Sequence, residues 1–305
     1  MKISGPAVPL EEFIIWTYCF IEEEVIAFLT SQGEPIRKRG FAPKLTDAEV
    51  ITMEVIGEFI GKDNDKAIWH YFKSHWFEWF PNLGSRSNFA KQASNLYGIK
   101  QFIHKRLISK LGANDETIHI VDGFPVELCH FKRAKRCQRL KEFANYGYCA
   151  SKEEAFYGLK GHVLITYDGI IVDLVMTAAS GSEREACFDM TDLFTGLLLG
   201  DKGYIGEHFK DELKYEGIEL STPVKKNMKD PLSKPLRDTA NKTRRLVETV
   251  IGQLTERFSL TKVWARDAWH LTNRITRKVL SHTLGIYANQ QNDREKLVLD
   301  AVISS

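Results

Sequence analysis

The chain has 305 residues, of which 43% are apolar and 27% charged, and its formal net charge at pH 7 is +2. This composition excludes an intrinsically disordered chain and is sufficient for one large or two modest folded domains. Because 42 Lys and Arg residues nearly balance 40 Asp and Glu residues, the total charge identifies no partner, and only the positions of the charges are informative.

The cysteines and the early apolar segment exclude two further classes of protein. The 5 cysteines are odd in number and widely spaced, which is typical of reduced thiols in a cytosolic protein. Cys129, His130, Cys137 and Cys149 are potential zinc ligands, but their spacing matches no common zinc pattern, and ordinary packing is favoured. Consecutive glutamates interrupt the apolar run 13–29, so we expect neither a signal peptide nor a membrane span.

Residues up to about 110 have helical spacing almost throughout. Thr46 is predicted to be a helix N-cap, with Glu49 at the capping-box position. A second helix is predicted over 66–80, where it stops before a proline, and one or two amphipathic helices over 85–111. At helical spacing, most aromatic rings of the segment 68–80 are predicted to lie in the core rather than to stack on bases. This part of the chain is predicted to be an all-helical domain.

After Gly112 the pattern changes to short runs rich in Val, Ile and Thr, which predict strands. Asp168 and Gly169 form a predicted tight hairpin turn between two of them. The predicted strands are 117–123, 162–169, 170–179, a strand ending at Asp201, and 218–224, and the predicted helices are 183–194, 206–215 and a long helix that includes Glu248. The order β-β-β-α-β-α-β-α predicts a mixed sheet flanked by helices.

Two aspartates follow predicted strands directly. Asp122 comes after the run IHIV and precedes Gly123, and Asp201 comes after LLLG within the sequence GDKG. Binding sites of α/β sheets form where the carboxyl ends of strands meet, and glycine allows a ligand to approach the backbone closely. The sequence therefore predicts a site that contains both carboxylates.

A glutamate on the long helix is predicted to join them. Glu248 borders the apolar stripe formed by Val247, Val250, Ile251, Leu254 and Phe258. Arg244 and Arg245 lie one turn before Glu248, and Gly252 lies one turn after it, which leaves space beside the carboxylate.

Two readings of these acids are possible. Three carboxylates without cysteine or histidine suit Mg²⁺ or Mn²⁺, and a pair of such ions about 4 Å apart promotes phosphoryl transfer. Alternatively, Asp122 is a turn former, Asp201 a helix N-cap and Glu248 one half of a surface ion pair with Arg244 or Arg245. For each acid alone the second reading is favoured, but the order strand, strand, helix and the basic segments nearby favour the metal site.

The segment IVDG with Asp122, the segment GDKGYIG with Asp201 and the helix RRLVETVIGQL with Glu248 resemble the signature blocks of DDE-type bacterial insertion-sequence transposases. The resemblance covers roughly 117–264, and the segment LTDAEVITM is also similar to the family's N-terminal region. It implies an RNase H-like α/β fold, a mixed sheet flanked by helices and preceded by an all-helical N-terminal domain. The implied domains are 1–112 for recognition of DNA ends, 113–290 for catalysis with a basic insertion around 127–157, and a tail over 291–305.

The resemblance also implies the site residues. Asp122, Asp201 and Glu248 take the places of the catalytic, metal-binding triad, and Arg244 takes the place of a phosphate-binding arginine. Asn241 and Thr255 stand where the family often has a tyrosine and a lysine, which puts DNA contacts at these two positions in doubt. Arg257 and Lys262 are candidates to replace that lysine.

The implied activity is metal-dependent cleavage and strand transfer of an insertion sequence, with Mg²⁺ or Mn²⁺, as two ions, the only cofactor. The implied partners are the element's terminal inverted repeats and target DNA, and no membrane is involved. The implied complex with DNA is at least a homodimer. The implied location is the bacterial cytoplasm, in association with the nucleoid. The alternatives are a related nuclease that does not join strands and a non-catalytic DNA-binding protein.

Two basic segments adjoin the predicted site. The stretch 132–141 holds 6 basic residues and no acid, and the stretch 225–245 holds 8 basic residues against two aspartates. Such segments bind phosphates without regard to base sequence, although a solvated helix face would have the same composition. The predicted DNA contacts are Lys132, Arg133, Lys135, Arg136, Arg139, Lys202, Lys225, Lys226, Arg244 and Arg245.

Overall fold

A computed structural model of the chain describes residues 7–32, 42–149, 153–191, 194–223 and 234–304, with the backbone alone over 234–242. The chain divides into two compact units. Residues up to 107 together with 257–305 form one of them, here called the helical unit, and residues 108–256 form the other, called the sheet unit.

The helices and strands follow the predicted change from helical to mixed structure. The α-helices of the described ranges are α1 (Leu10–Gln32), α2 (Asp47–Phe59), α3 (Asp65–His75), α4 (Arg86–Asn95), α5 (Tyr97–Lys110), α6 (Glu183–Thr191), α7 (Glu207–Tyr215), α8 (Lys234–Gly252) and α9 (Ala268–Gln291). The strands are β1 (Ile118–Glu127), β2 (Asn145–Cys149), β3 (Glu154–Thr166), β4 (Ile171–Ala178), β5 (Gly196–Gly200) and β6 (Ile218–Ser221). None of the described helices is both long and apolar enough to cross a membrane.

Local sequence explains where the helices of the helical unit begin and end. Thr46 caps α2: its hydroxyl accepts from the Glu49 N–H at 3.1 Å, and the Glu49 carboxylate accepts from the Thr46 N–H at 2.6 Å, which confirms the predicted capping box. The prediction that the next helix extends to residue 80 is wrong, since α3 ends at His75. Turns after Trp76 let the Phe80 ring be buried against Phe72, a packing arrangement that helical spacing does not reveal.

The apolar core of the helical unit joins residues far apart in sequence. Phe13 on α1 packs edge-on against Phe59 on α2, with ring centroids 5.0 Å apart. On α9, Leu280 and Leu284 are buried in the same cluster. The segment 257–290, assigned by the sequence to the catalytic domain, therefore groups with the N-terminal helices, because the apolar face of α9 covers α2.

Beside this core, the helical unit buries a network of charges. Arg277 on α9 is fully buried and donates to Glu58 at 2.6 Å and to Asp65 at 2.5 Å. Lys278 donates to the second oxygen of Glu58 at 2.8 Å, and the buried Lys100 pairs with Glu54. Each of these buried charges thus has an opposite partner, as charges in an interior require.

The sheet unit is built around β1. The strand order is β2-β3-β1-β5-β6, and β4 also pairs with β3. The β1–β3 and β3–β4 pairs are antiparallel, whereas the β1–β5 and β5–β6 pairs are parallel. Gly169 has a φ of 83° in the predicted hairpin turn between β3 and β4. Helix α6 packs on β3 and β4, α7 on β6 and α8 on β1, so helices cover the mixed sheet as predicted.

Candidate active site

The register of two parallel strands places Asp122 next to Asp201. Between β1 and β5 the residue pairs run from Ile118 with Leu197 to Val121 with Gly200. Asp122 follows Val121, and Asp201 follows Gly200. The prediction that both acids follow strand ends is wrong for Asp122, which lies inside β1. The reason is that β1 continues past its parallel partner, because its antiparallel pairing with β3 extends as far as Glu127.

Asp122 lies in a strongly negative environment. Its pKa is raised to about 6, mainly by burial and also by the charges of Asp201 and Glu183, whereas a hydrogen bond from the Gly123 N–H and the charge of Arg244 oppose the increase. The Gly123 N–H donates to Asp122 Oδ1 at 2.7 Å. A partly buried carboxylate with two acidic neighbours is stabilised by any cation that comes close.

Asp201 begins a tight turn at the edge of the sheet. It is exposed, and its Oδ1 accepts a 2.6 Å hydrogen bond from the Gly203 N–H as it caps the short 3-10 helix Lys202–Tyr204. The capping role considered in the sequence is therefore present. It uses one carboxylate oxygen and is compatible with binding of a ligand by the other.

Glu248 lies on α8, the helix that packs on β1. Its side chain is 58% exposed, and its Oε1 accepts from Arg244 Nε at 3.2 Å. Arg244 is in turn one of the charges that act on Asp122. The structure thus brings Asp122 and Asp201 together and pairs Glu248 with Arg244, the ion pair of the second reading. Within the described ranges no three His, Cys, Asp or Glu residues are arranged to hold a metal ion.

Sequence reasoning missed one acid of this site, Glu183 at the start of α6. Its carboxylate forms an ion pair with Lys160 on β3. It also lies over Gly203, since a Cβ atom placed on that glycine would be 1.4 Å from Glu183 Oε2. The sequence signal that could have found Glu183 is its position as the first residue of α6, the helix after β4. An acid at that position is brought to the edge of the sheet.

The predicted DNA contacts are distributed unevenly. Residues Phe131–Arg136 form a 3-10 helix whose Ala134 faces inward, so its cations face the solvent. The exposed predicted contacts are Lys132, Arg133, Lys135, Arg136, Lys202, Arg244 and Arg245, and Arg139 is half-buried. Lys225 and Lys226 lie outside the described residues.

Exposed aromatic rings accompany the basic 3-10 helix. Phe131 packs edge-on against Tyr146 of β2, with ring centroids 5.8 Å apart, and both rings are exposed. Tyr148, on the same face of β2, has 64% of its surface exposed. Aromatic rings beside cations are the side chains on which unpaired bases stack.

The donor set around Asp122 fits a divalent cation. Asp122 and Asp201 offer only carboxylate oxygens, the ligands that Mg²⁺ and Mn²⁺ prefer, and in the described ranges no third acid is arranged with them to hold an ion. The register that places Asp122 beside Asp201 supports the fit, and the charge of Asp201 is one of the causes that raise the pKa of Asp122. Asp122 and Asp201 are the residues best placed to hold such an ion.

A family model described as Transposase DDE domain matches residues 112–267. The matched segment begins before β1 and ends beyond α8, so it includes the whole sheet and the residues Asp122, Asp201 and Glu248. No curated protein and no solved structure matches the chain. Because the family match spans just over half of the 305 residues and contains the paired aspartates, the chain belongs to the Transposase DDE domain family.

Proposed function

We propose that the chain is a transposase that uses divalent cations to cut DNA at the ends of an insertion sequence and to join the freed ends to target DNA. Its family supports a transposase in general terms. The observation that carries the specific chemistry is that Asp122 on β1 lies beside Asp201, the first residue after the parallel strand β5, within the matched residues.

The proposal includes an RNase H-like fold for the sheet unit. Support comes from β1, which lies inside the sheet with an antiparallel partner on one side and a parallel partner on the other. The element order from β3 onward, with α6, α7 and α8 following β4, β5 and β6, agrees with the order predicted from the sequence.

Each acid has a distinct part in the proposed reaction. Asp122 and Asp201 hold Mg²⁺ or Mn²⁺, as two ions, which when bound supply an activated nucleophile and stabilise the departing oxygen of the phosphodiester. In the proposed reaction Glu248, whose side chain is 58% exposed, leaves Arg244 and turns towards the aspartates. Arg244 then donates to a DNA phosphate, the contact that arginine makes best.

The DNA-binding part of the proposal rests on charge and exposure. The basic 3-10 helix Phe131–Arg136 presents Lys132, Arg133, Lys135 and Arg136 to the solvent, and Lys202 is exposed next to Asp201. Such cations release counterions from DNA and give affinity that is independent of sequence. The proposed partners are the element's terminal repeats and target DNA in the bacterial cytoplasm, and we infer at least a dimer because two ends must be joined.

A cleavage and joining assay tests this function. The substrates are a donor plasmid that carries the coding region with its genomic flanks and an empty target plasmid, incubated with the purified full chain and Mg²⁺ or Mn²⁺. We expect cut donor and joined product with the wild type, and neither with Asp122→Asn, Asp201→Asn or Glu248→Gln. The matched control is Asp211→Asn, which changes an exposed aspartate on α7.

The outcomes separate the alternatives considered in the sequence. Cut donor without joined product would favour a nuclease, and DNA binding without cleavage would favour a non-catalytic DNA-binding protein. Variants of Asp122 and Asp201 that bind DNA normally in EDTA, but do not cut it when Mg²⁺ or Mn²⁺ is present, support the proposed roles of these aspartates.

A further inference from the structure

Glu183 occupies the space that a side chain at position 203 would fill. A Cβ atom on Gly203 would lie 1.4 Å from Glu183 Oε2 and 3.1 Å from Asp201 Oδ1. Gly203 does not require a left-handed backbone, since it is not among the glycines of positive φ. The absence of a side chain therefore serves the close approach of the Glu183 carboxylate to the turn that holds Asp201.

A second glycine makes room for the partner of this carboxylate. A Cβ atom on Gly123, the residue after Asp122, would lie 3.0 Å from Lys160 Cε and 3.7 Å from Glu183 Oε1. Lys160 and Glu183 form an ion pair in which each side chain is 22% exposed. The pair is thus placed against the backbone that follows each of the two aspartates.

Tyr204 provides an independent sign that a ligand belongs among these carboxylates. Its side chain is fully buried, and its hydroxyl has no hydrogen-bond partner among the described residues. The nearby charges that raise the pKa of this hydroxyl, after burial itself, include Glu183, Asp122 and Asp201. An unpaired buried donor near three carboxylates is a costly arrangement in the folded protein.

Two of the four carboxylates of the site form ion pairs with a basic side chain. Lys160 neutralises Glu183 and Arg244 neutralises Glu248, whereas Asp122 and Asp201 accept hydrogen bonds from the N–H groups of Gly123 and Gly203. A cation held by the aspartates would therefore compete with the Lys160 ammonium for the Glu183 carboxylate.

We propose that Glu183 is a further metal-binding carboxylate of this site, which exchanges the Lys160 ammonium for the divalent cation that Asp122 and Asp201 bind. This inference rests on the metal site of the proposed function and adds a ligand to it. The competing interpretation is a purely structural ion pair, but a partly exposed pair of this kind contributes little to stability.

The two interpretations differ in the result that they predict for a substitution that keeps the charge of Glu183. If Lys160 competes with the cation, Glu183→Gln weakens metal binding whereas Lys160→Gln strengthens it. If the pair is only structural, Glu183 acts on the cation through its charge alone. Glu183→Gln and Lys160→Gln then have these same effects, but Gly203→Ala, which keeps the charge of Glu183, leaves the affinity unchanged.

Mn²⁺ binding to the full chain, measured by electron paramagnetic resonance at pH 7.5 without DNA, tests the proposal. We expect Glu183→Gln to weaken Mn²⁺ binding about tenfold or more, and Lys160→Gln to strengthen it severalfold. Gly203→Ala, which displaces the Glu183 carboxylate without removing it, should weaken binding in the same way. Glu185→Gln is the matched control, because Glu185 is exposed on the same helix and should bind like the wild type.

Unchanged affinity in Glu183→Gln or in Gly203→Ala, or weaker binding in Lys160→Gln, would overturn the role of Glu183 while the proposed function stands. Wild-type protein that binds no Mn²⁺, or Asp201→Asn that binds it as well as the wild type, would overturn the proposed metal site and this inference with it. Circular dichroism of each variant verifies that the fold is retained, and Glu183→Asp supplies a carboxylate variant that should retain part of the affinity.

Discussion

Asp122 on β1 and Asp201, the first residue after β5, each follow one member of the last residue pair of these parallel strands, Val121 and Gly200. Neighbouring strands lie about 4.8 Å apart, so the backbone of the sheet itself holds the two carboxylates near each other. Burial and the charge of Asp201 together raise the pKa of Asp122 to about 6. The same geometry that destabilises the cation-free protein prepares the site for a cation.

We expect Asp122→Asn to abolish strand cleavage but to increase the free energy of unfolding of the cation-free protein by roughly 1–3 kcal/mol above pH 6. Well below pH 4 the carboxyl is protonated in both the folded and the unfolded state, so the wild type and the variant should be equally stable. Between pH 4 and 6 the Asp122 carboxyl is ionised in the unfolded chain but still largely protonated in the folded protein. The free energy of unfolding of the wild type therefore falls as the pH rises through the raised pKa of the folded state.

Urea unfolding in EDTA at several pH values measures this difference. Asp211→Asn, an exposed aspartate on α7, is the control and should change stability by no more than about 0.5 kcal/mol. A variant Asp122→Asn that is less stable than the wild type at pH 7.5 would contradict the electrostatic account.

Two glycines at helical positions should respond in opposite ways to alanine. A Cβ atom on Gly285 of α9 would lie 2.8 Å from Leu299 Cδ2 and 2.9 Å from Phe59 Cζ, so Gly285→Ala should destabilise the protein by about 1–3 kcal/mol through overpacking. A Cβ atom on Gly252 of α8 would meet nothing within 4 Å, so Gly252→Ala should stabilise by up to about 1 kcal/mol. Thermal unfolding of the two variants compares them directly, and equal effects would mean that the packing around Phe59 is looser than described.

Removal of Arg277 should be among the most damaging single changes in the helical unit. Arg277→Met leaves Glu58 and Asp65 buried with fewer donors, and we expect a loss of about 3–5 kcal/mol. Arg277→Lys keeps the charge and should lose less. The control is Arg245→Met, at an exposed position of α8. Denaturant unfolding measures all three variants, and a loss below about 1 kcal/mol in Arg277→Met would show that Lys278 and Arg274 compensate.

The basic 3-10 helix Phe131–Arg136 should determine part of the salt dependence of DNA binding. We expect Arg133→Ala with Arg136→Ala to weaken binding to any duplex and to reduce the slope of log K against log salt by about 0.9 for each phosphate that the variant no longer binds. The matched control is Lys210→Ala with Lys214→Ala, two exposed lysines of α7. Fluorescence anisotropy over a range of salt concentrations measures both, and identical slopes would remove this segment from the DNA-binding surface.

Local signals predicted the local parts of the structure. The capping box of Thr46 and Glu49 and the hairpin turn at Gly169 depend on residues within a few positions of each other, and both are confirmed. The family resemblance is confirmed as well, because its blocks are continuous segments. Helix α3 was predicted too long because the burial of Phe80 depends on tertiary packing.

Features that depend on pairing across the chain were not predicted. The extension of β1 beyond Gly123 and the strand β2 both arise from pairing with the long strand β3, whose first four residues lie in the segment 127–157 that the sequence indicates only as a basic insertion. Glu183 was missed for a similar reason. Its relation to Gly203 is made by the packing of α6 against the Asp201 turn, and no periodicity along the chain connects the two residues.

The pairing of Val8 with Ile303 and the packing of α9 on α2 have a consequence for synthesis on the ribosome. Helices α1 to α5 leave the ribosome first, but the whole segment 108–256 is translated before their partner α9 exists. The sheet unit is then able to fold while the apolar face of α2 is still exposed, because α9 has not yet been synthesised. A nascent chain that stops before α9 would expose that face to aggregation or to chaperones.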